Sequence, residues 1–156
     1  MWRMFLERYE YKKGLRFGQF YFYSDGPKGR IYKAISYEYM VEVDDFYYFN
    51  VGFGDTDPDS GMVNDLIVSD NQDRDKILAT VAATAVEFTD RIRKCRLIIT
   101  GSTPARTRLY QMKIAAHYPD ISELFDIQGE TKNGWGKFKT GENYLAFRFE
   151  RINFTR

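Results

Sequence analysis

The rhythm of apolar and polar positions changes once along this chain. From Arg16 to Tyr23 and from Arg30 to Tyr39 the residues are rich in Phe, Tyr and Ile, with turn chemistry between them at Ser24-Asp25-Gly26-Pro27-Lys28-Gly29. The two spans predict strands joined as a hairpin. A third strand is expected from Asp45 to Phe53, ending at Gly54, and Asp55 to Asn64, with Pro58 and Gly61 among acids, reads as a loop. From Ile77 the period lengthens. Leu78, Val81, Ala85, Phe88 and Ile92 recur at steps of three and four, one face of a helix expected over Asn71–Arg93. Ser69, Asp70 or Asn71 can cap it, and Asp73 and Asp75 suit the first turn, next to the positive end of the helix dipole.

A short strand from Arg96 to Thr100 is broken by Gly101. Ser102 or Thr103 then caps a second helix, Pro104 fits its first position, and Ala105, Leu109, Met112 and Ala116 form its inner side until Pro119. A helical turn at Ile121–Phe125 and closing strands at Trp135–Lys139 and Tyr144–Ile152 complete the order β-β-β-α-β-α-β-β. The expected fold is α+β, with one mixed or antiparallel sheet carrying two main helices in a single domain over residues 1–156. The same element order belongs to the ribonuclease-H-like fold, a likeness of architecture that carries no function.

A length of 156 residues with 44% apolar content is enough for one full core. No apolar run is long enough to span a bilayer, and the first eight residues lack the pattern of a signal peptide, so the expected setting is cytoplasmic, with no membrane partner. Cys95 is the lone cysteine and precedes Leu97-Ile98-Ile99, where an inert buried thiol is the ordinary outcome. Net charge is +1, but it is unevenly spread. Between Glu42 and Asp75 ten acids face one base, and between Asp90 and Lys113 seven bases face one acid. These blocks either pair within the fold or form faces of opposite sign.

Several chemistries can be set aside. His117 is the only histidine, which leaves no Ser-His-Asp triad with a spare base and no two-histidine metal site. The stretch Asp55-Thr56-Asp57-Pro58-Asp59-Ser60-Gly61 lacks the ligand spacing of a calcium loop. Phe17–Tyr23 carries no carboxylate and the Arg96–Thr100 strand ends in Gly101-Ser102, so the two-metal site of a ribonuclease-H-like nuclease is not expected. No cofactor is called for. Phe20, Tyr21, Phe22, Tyr23, Tyr32, Tyr37, Tyr39, Tyr47 and Tyr48 could stack bases on an open sheet, although alternation sends about half of them inward.

The one local arrangement suited to a ligand is the strand-to-helix junction Gly101-Ser102-Thr103-Pro104-Ala105-Arg106-Thr107-Arg108-Leu109-Tyr110. Unpaired amides and the dipole favour an anion at a helix start. Gly101 allows close approach, Ser102 and Thr103 supply hydroxyls, and Arg106 and Arg108 are donors suited to phosphate. Thr103, Arg106, Thr107 and Tyr110 share a face, whereas Arg106 and Arg108 are about 200° apart. One arginine is therefore expected to pair with Asp73 or Asp75, and the other to stay exposed. A plain helix cap with buttressing arginines explains the same residues.

The segments Ser69-Asp70-Asn71-Gln72-Asp73-Arg74-Asp75-Lys76-Ile77-Leu78-Ala79-Thr80-Val81 and Gly101 to Tyr110 resemble a family of short proteins found mainly in Bacteroidota. The resemblance spans most of the chain and implies no established activity. It draws Asp73 and Arg74 into the candidate site beside the junction, and it implies small-operon or mobile-element settings such as toxin–antitoxin or phage-conflict systems. Three functions follow as expectations. The first is a binding module for a nucleotide or nucleic acid at Ser102–Tyr110. The second is a protein-interaction component with a partner from the same operon, and the third an enzyme acting on nucleotide or RNA phosphates. Whether the chain is an enzyme, and how many copies assemble, is left open.

Overall fold

In the computed structural model, which describes residues 7–57, 63–64 (main chain only), 70–152 and 154, the aromatic first half folds as strands. Their order along the chain is β1 (Lys12–Lys13), β2 (Gln19–Gly26), β3 (Gly29–Val43), β4 (Phe46–Thr56) and β5 (Val63–Asn64). There follow α1 (Arg74–Arg91), β6 (Cys95–Ile99), α2 (Pro104–Ala116), α3 (Tyr118–Leu124), β7 (Phe125–Thr131), β8 (Gly134–Lys137) and β9 (Ala146–Arg151). The class is α+β with one mixed sheet. Among the described residues its strand order is β1-β2-β3-β4-β6-β9-β7-β8, with β5 against β4. The element order is thus longer than the β-β-β-α-β-α-β-β pattern, by β1, β5, α3 and β7. Residues 58–62 of the acidic loop, Asp65 and Ser69 lie outside the described residues. Two compact units divide the chain, Met1–Glu38 with Val51–Phe88, and Tyr39–Asn50 with Thr89–Arg156; β3 and β4 contribute to both.

In the first unit β2 pairs antiparallel with β3 from Gln19↔Ser36 to Gly26↔Gly29. Phe20, Phe22, Ile35 and Tyr37 are buried in its core. The helix α1 does not meet them with the predicted stripe. Of that stripe Phe88 is buried as expected, but Leu78, Val81 and Ala85 are only half-buried, and the other buried positions are Ala79, Thr80, Ala83, Thr84, Val86 and Thr89. Large rings on the sheet require small residues opposite them if the interior is to be filled without overlap. The threonines tolerate burial because their hydroxyls are paired. Thr80 donates to the Lys76 carbonyl (2.8 Å), and Thr84 donates to the Val81 carbonyl and contacts the Tyr37 hydroxyl (both 2.8 Å). Phe88 stacks on Tyr37 with centroids 4.6 Å apart.

The start of α1 is three residues later than its capping pattern predicts, because Asn71 is used elsewhere. Its buried amide donates to the Gly29 carbonyl (2.8 Å) and the Ser24 hydroxyl (3.1 Å), and its side-chain oxygen accepts from the Lys28 amide (2.8 Å). Asn71 therefore clamps the β2–β3 turn. Gly26 leaves the space, since a methyl group there would lie 2.1 Å from the Asn71 carbonyl oxygen. Lys33, fully buried on β3, holds Asp55 at 2.6 Å. Its burial opposite Phe22 was not legible from an alternating aromatic strand.

In the second unit β4 pairs parallel with β6, from Tyr47↔Cys95 to Asn50↔Ile98. The strand β9 lies antiparallel between β6 and β7, and β8 closes the edge as a hairpin with β7. The strand β7 was not predicted, yet its sequence alternates: Phe125, Ile127 and Gly129 are buried, with Asp126, Gln128 and Glu130 facing the other way. Gly129 makes room for the Tyr144 ring, which would lie 2.2 Å from a methyl group there. Pro119 does not end the helical region; it sits in the first turn of α3, and His117 joins the two helices. The expected inner side of α2 is also revised. Met112 and Ala116 are exposed, Leu109 is half-buried, and Thr107 and Ile114 are the buried residues.

Candidate functional site

The junction is held together by its own side chains. Thr103 is the N-cap of α2, with extended backbone, and its hydroxyl accepts from the Arg106 amide at 3.2 Å. Its carbonyl accepts from both the Thr107 amide (3.0 Å) and the Thr107 hydroxyl (3.2 Å). Thr107, buried, closes the loop by accepting from the Gly101 amide at 3.1 Å. A methyl group at residue 101 would fall 2.4 Å from the Thr107 nitrogen and 2.7 Å from the Arg106 carbonyl carbon. The close approach that Gly101 permits is thus to the first turn of α2. Pro104 has no amide to offer. Ser102 and Arg108 are exposed, Arg106 and Tyr110 half-buried. Among the described residues Arg108 makes no ion pair.

Asp73 and Arg74 belong to the first unit. One Asp73 carboxylate oxygen accepts from the Tyr9 hydroxyl (2.6 Å) and the Ser24 hydroxyl (2.5 Å), while its other oxygen is buried with no hydrogen-bond partner among the described residues. Burial and the Asp73 carboxylate hold the Tyr9 phenol above its ordinary range. Arg74, the first residue of α1, pairs at 3.1 Å with Asp70, four residues earlier and ahead of the helix, an exposed contact. Asp73 thus serves a buried node beneath the β2–β3 turn.

The remaining sequence candidates have structural partners. Cys95 is buried and its thiol is pushed up to about 12 by loss of solvation and by Glu150, so it is not a thiolate near neutrality. The amide of His117 donates to the Lys113 carbonyl at 3.1 Å, at the C-terminus of α2. No cluster of three or more metal-ligating side chains occurs among the described residues. Of the aromatics, Phe20, Phe22 and Tyr37 are core; Tyr21 and Tyr23 pack on Tyr32 at 5.6 and 4.6 Å.

Tyr39 and Tyr47 belong to a feature that the sequence analysis did not single out, the arm formed by the end of β3 and the start of β4. Asp44 and Asp45 turn it with φ of 52° and 69°, the left-handed pair of a two-residue hairpin, which acidic side chains tolerate. Every residue from Glu38 to Asp45 is exposed, on both faces of the strand. Tyr39 is 60% exposed, Met40 51% and Val41 46%, with Val43 and Tyr47 close behind. The Tyr39 ring lies edge-on to Tyr47 and Phe49 at 6.3 and 5.9 Å. At the base Arg96 lies 4.1 Å over Phe46, donates to Tyr48 and pairs with Glu150 at 2.8 Å.

The model of a family of unknown function, DUF6934, matches residues 6–152. The chain belongs to that family. The match runs from before β1 through the end of β9, so the arm, the Asp73 node and the junction all fall inside the DUF6934 region. No curated protein and no solved structure matches the chain. No helix among the described residues is long and apolar enough to cross a membrane.

Proposed function

We propose that this DUF6934 domain is a binding module that engages a protein partner through the β3–β4 arm. One observation carries the reading: at the end of β3 the large apolar side chains of Tyr39, Met40, Val41 and Val43 are all exposed. Scattered surface apolar residues are ordinary, but a contiguous group on one hairpin is the mark of an interaction surface. The test is capture of partners by wild type, by Tyr39→Ser/Val41→Ser and by Arg108→Ala. A partner lost by the arm variant and kept by Arg108→Ala supports the reading. A partner kept by the arm variant, or lost with Arg108, contradicts it.

A second reading places a phosphate-bearing ligand, nucleotide or nucleic acid, at Ser102–Tyr110. It is favoured by the exposure of Ser102 and Arg108 beside a helix start. It ranks below the arm because Thr103 already occupies the Arg106 amide that an anion would need. Calorimetric titration of mononucleotides and short RNA against wild type, Arg106→Ala and Arg108→Ala decides it. Loss of a charge-assisted contact would weaken binding by more than about tenfold, and no difference among the three proteins removes the reading.

A further inference from the structure

We infer that the face of β1, β2 and β3 turned away from α1 binds single-stranded nucleic acid, with bases stacked on a row of three tyrosines between flanking cations. This is a second surface, independent of the arm. Alternation fixes which residues it displays. Ser24 of β2 meets Asp73 just ahead of α1, and Lys13 of β1 pairs with Glu87 of α1 at 2.7 Å. Tyr21 and Tyr23 therefore point the other way. Lys12 is directly opposite Tyr21, Tyr32 opposite Tyr23, and Arg30 opposite Asp25, so all of them share that outer face.

Tyr32 is the middle ring, 5.6 Å from Tyr21 at 10° and 4.6 Å from Tyr23 at 39°. Gly14 leaves room for the row at its β1 end, since a methyl group there would lie 2.5 Å from Tyr21 Cε2. Lys12 Nζ lies 6.0 Å from the Tyr32 centroid, and the Arg30 guanidinium 5.1 Å from that of Tyr23. Asp25 holds Arg30 in place at 3.0 Å, yet the arginine side chain stays 66% exposed. Tyr23 is exposed, Tyr21 and Tyr32 half-buried. Farther from the β2–β3 turn, Ala34 and Ser36 on the same face are buried, so the accessible part is the end nearest the turn.

Charge selects the occupant. From Arg8 to Lys33 seven bases face two acids, Glu10 and Asp25. Lys13 and Lys33 are committed to Glu87 and Asp55, whereas Lys12 at one end of the row and Lys28 and Arg30 at the other are exposed. Bases can extend the row by stacking on ring faces or on the Arg30 plane, while the cations meet phosphates; about two or three bases fit such a sheet face. A duplex hides its base faces and cannot use the rings. An acidic protein segment satisfies the cations and leaves the rings without a stacking partner.

The test titrates the full chain, at one salt concentration, with oligo-dT of about ten nucleotides, a DNA duplex of the same length, and polyglutamate. Oligo-dT is expected to bind about tenfold or more tighter than the other two. Tyr23→Leu and Tyr32→Leu are each expected to weaken it about tenfold, the loss of one stacked base, whereas Tyr23→Phe keeps the ring and the affinity. Lys12→Gln/Arg30→Gln should lower the slope of log affinity against log salt by about one. A bromouracil oligonucleotide is expected to crosslink to Tyr23 or Tyr32 in the unaltered chain, which keeps the site readable if a leucine variant fails to fold. Equal binding of oligo-dT and polyglutamate overturns the proposal in favour of an acidic protein partner, and equal binding of the duplex reduces the surface to charge alone and overturns it too. Crosslinks at Ser102–Tyr110, or binding lost in Arg108→Ala and kept in Tyr23→Leu, move the nucleic acid to the junction. Absence of oligo-dT binding by the wild-type chain removes the proposal outright.

Discussion

The junction at Gly101–Tyr110 and the arm at Glu38–Tyr47 are opposites in what they display and what they leave unused. The junction is rich in residues suited to ligands, yet Gly101, Thr103, Arg106 and Thr107 satisfy one another through four contacts of 3.0–3.2 Å. The arm contains tyrosine, valine, methionine and acids in no recognisable motif, yet one edge of its main chain and its apolar side chains have no described cover. Residues that could recognise a ligand are equally good at holding a chain turn. What distinguishes a binding surface is the interaction capacity that remains after folding.

That contrast sets an order of expected effects. Gly101→Ala should be the most damaging, at about 3 kcal/mol, because the added methyl meets main-chain atoms rather than a side chain that can move; denaturant unfolding measures it, and a neutral result would mean the junction has room for a ligand. Thr107→Val should cost about 2 kcal/mol by leaving the Gly101 amide without its acceptor. Thr103→Ala should cost about 1 kcal/mol as a lost N-cap. If instead Thr103→Ala left stability untouched, the junction hydroxyls would be available for something other than the fold. Tyr39→Ser and Val41→Ser should change stability by about 0.5 kcal/mol or less, as exposed positions do. A larger loss in either would show that the arm supports the core and is not surplus surface.

How far the sequence could be read follows the same line. Period and turn chemistry placed β2–β4, β6, α2 and β9, because those signals are local. The register of α1 was misjudged because the helix is selected by the rings opposite it, and Ala79, Ala83 and Thr84 look unremarkable until Phe88 and Tyr37 are in place. Asn71 reads as a cap and is instead a clamp on the β2–β3 turn, a long-range role with no local sign. The strand β7 was hidden by Gly129 and Glu130, poor strand formers, one of which is there for the Tyr144 ring. The junction's residues were all identified in sequence; that they bond to each other was not. The arm was the reverse case. Tyr39 and Tyr47 fell within expected strands, but Met40, Val41 and Val43 lay between the Arg30–Tyr39 and Asp45–Phe53 spans, and their exposure in a longer β3 is set by long-range packing that no local pattern reports.

Amide hydrogen exchange on the free protein tests the central claim most directly, because it reports residue by residue which main-chain groups folding leaves unused. Along the arm, rapid exchange is expected at Tyr39, whose amide continues the outward direction of Tyr37, and slower exchange at Val43, whose amide faces Phe46 across the Asp44–Asp45 turn. Within the junction, the amides of Gly101, Arg106 and Thr107 should be protected, as their bonds to Thr107 and Thr103 require. Protection at Tyr39 together with rapid exchange at Gly101 and Arg106 would reverse the comparison and return the ligand to the junction.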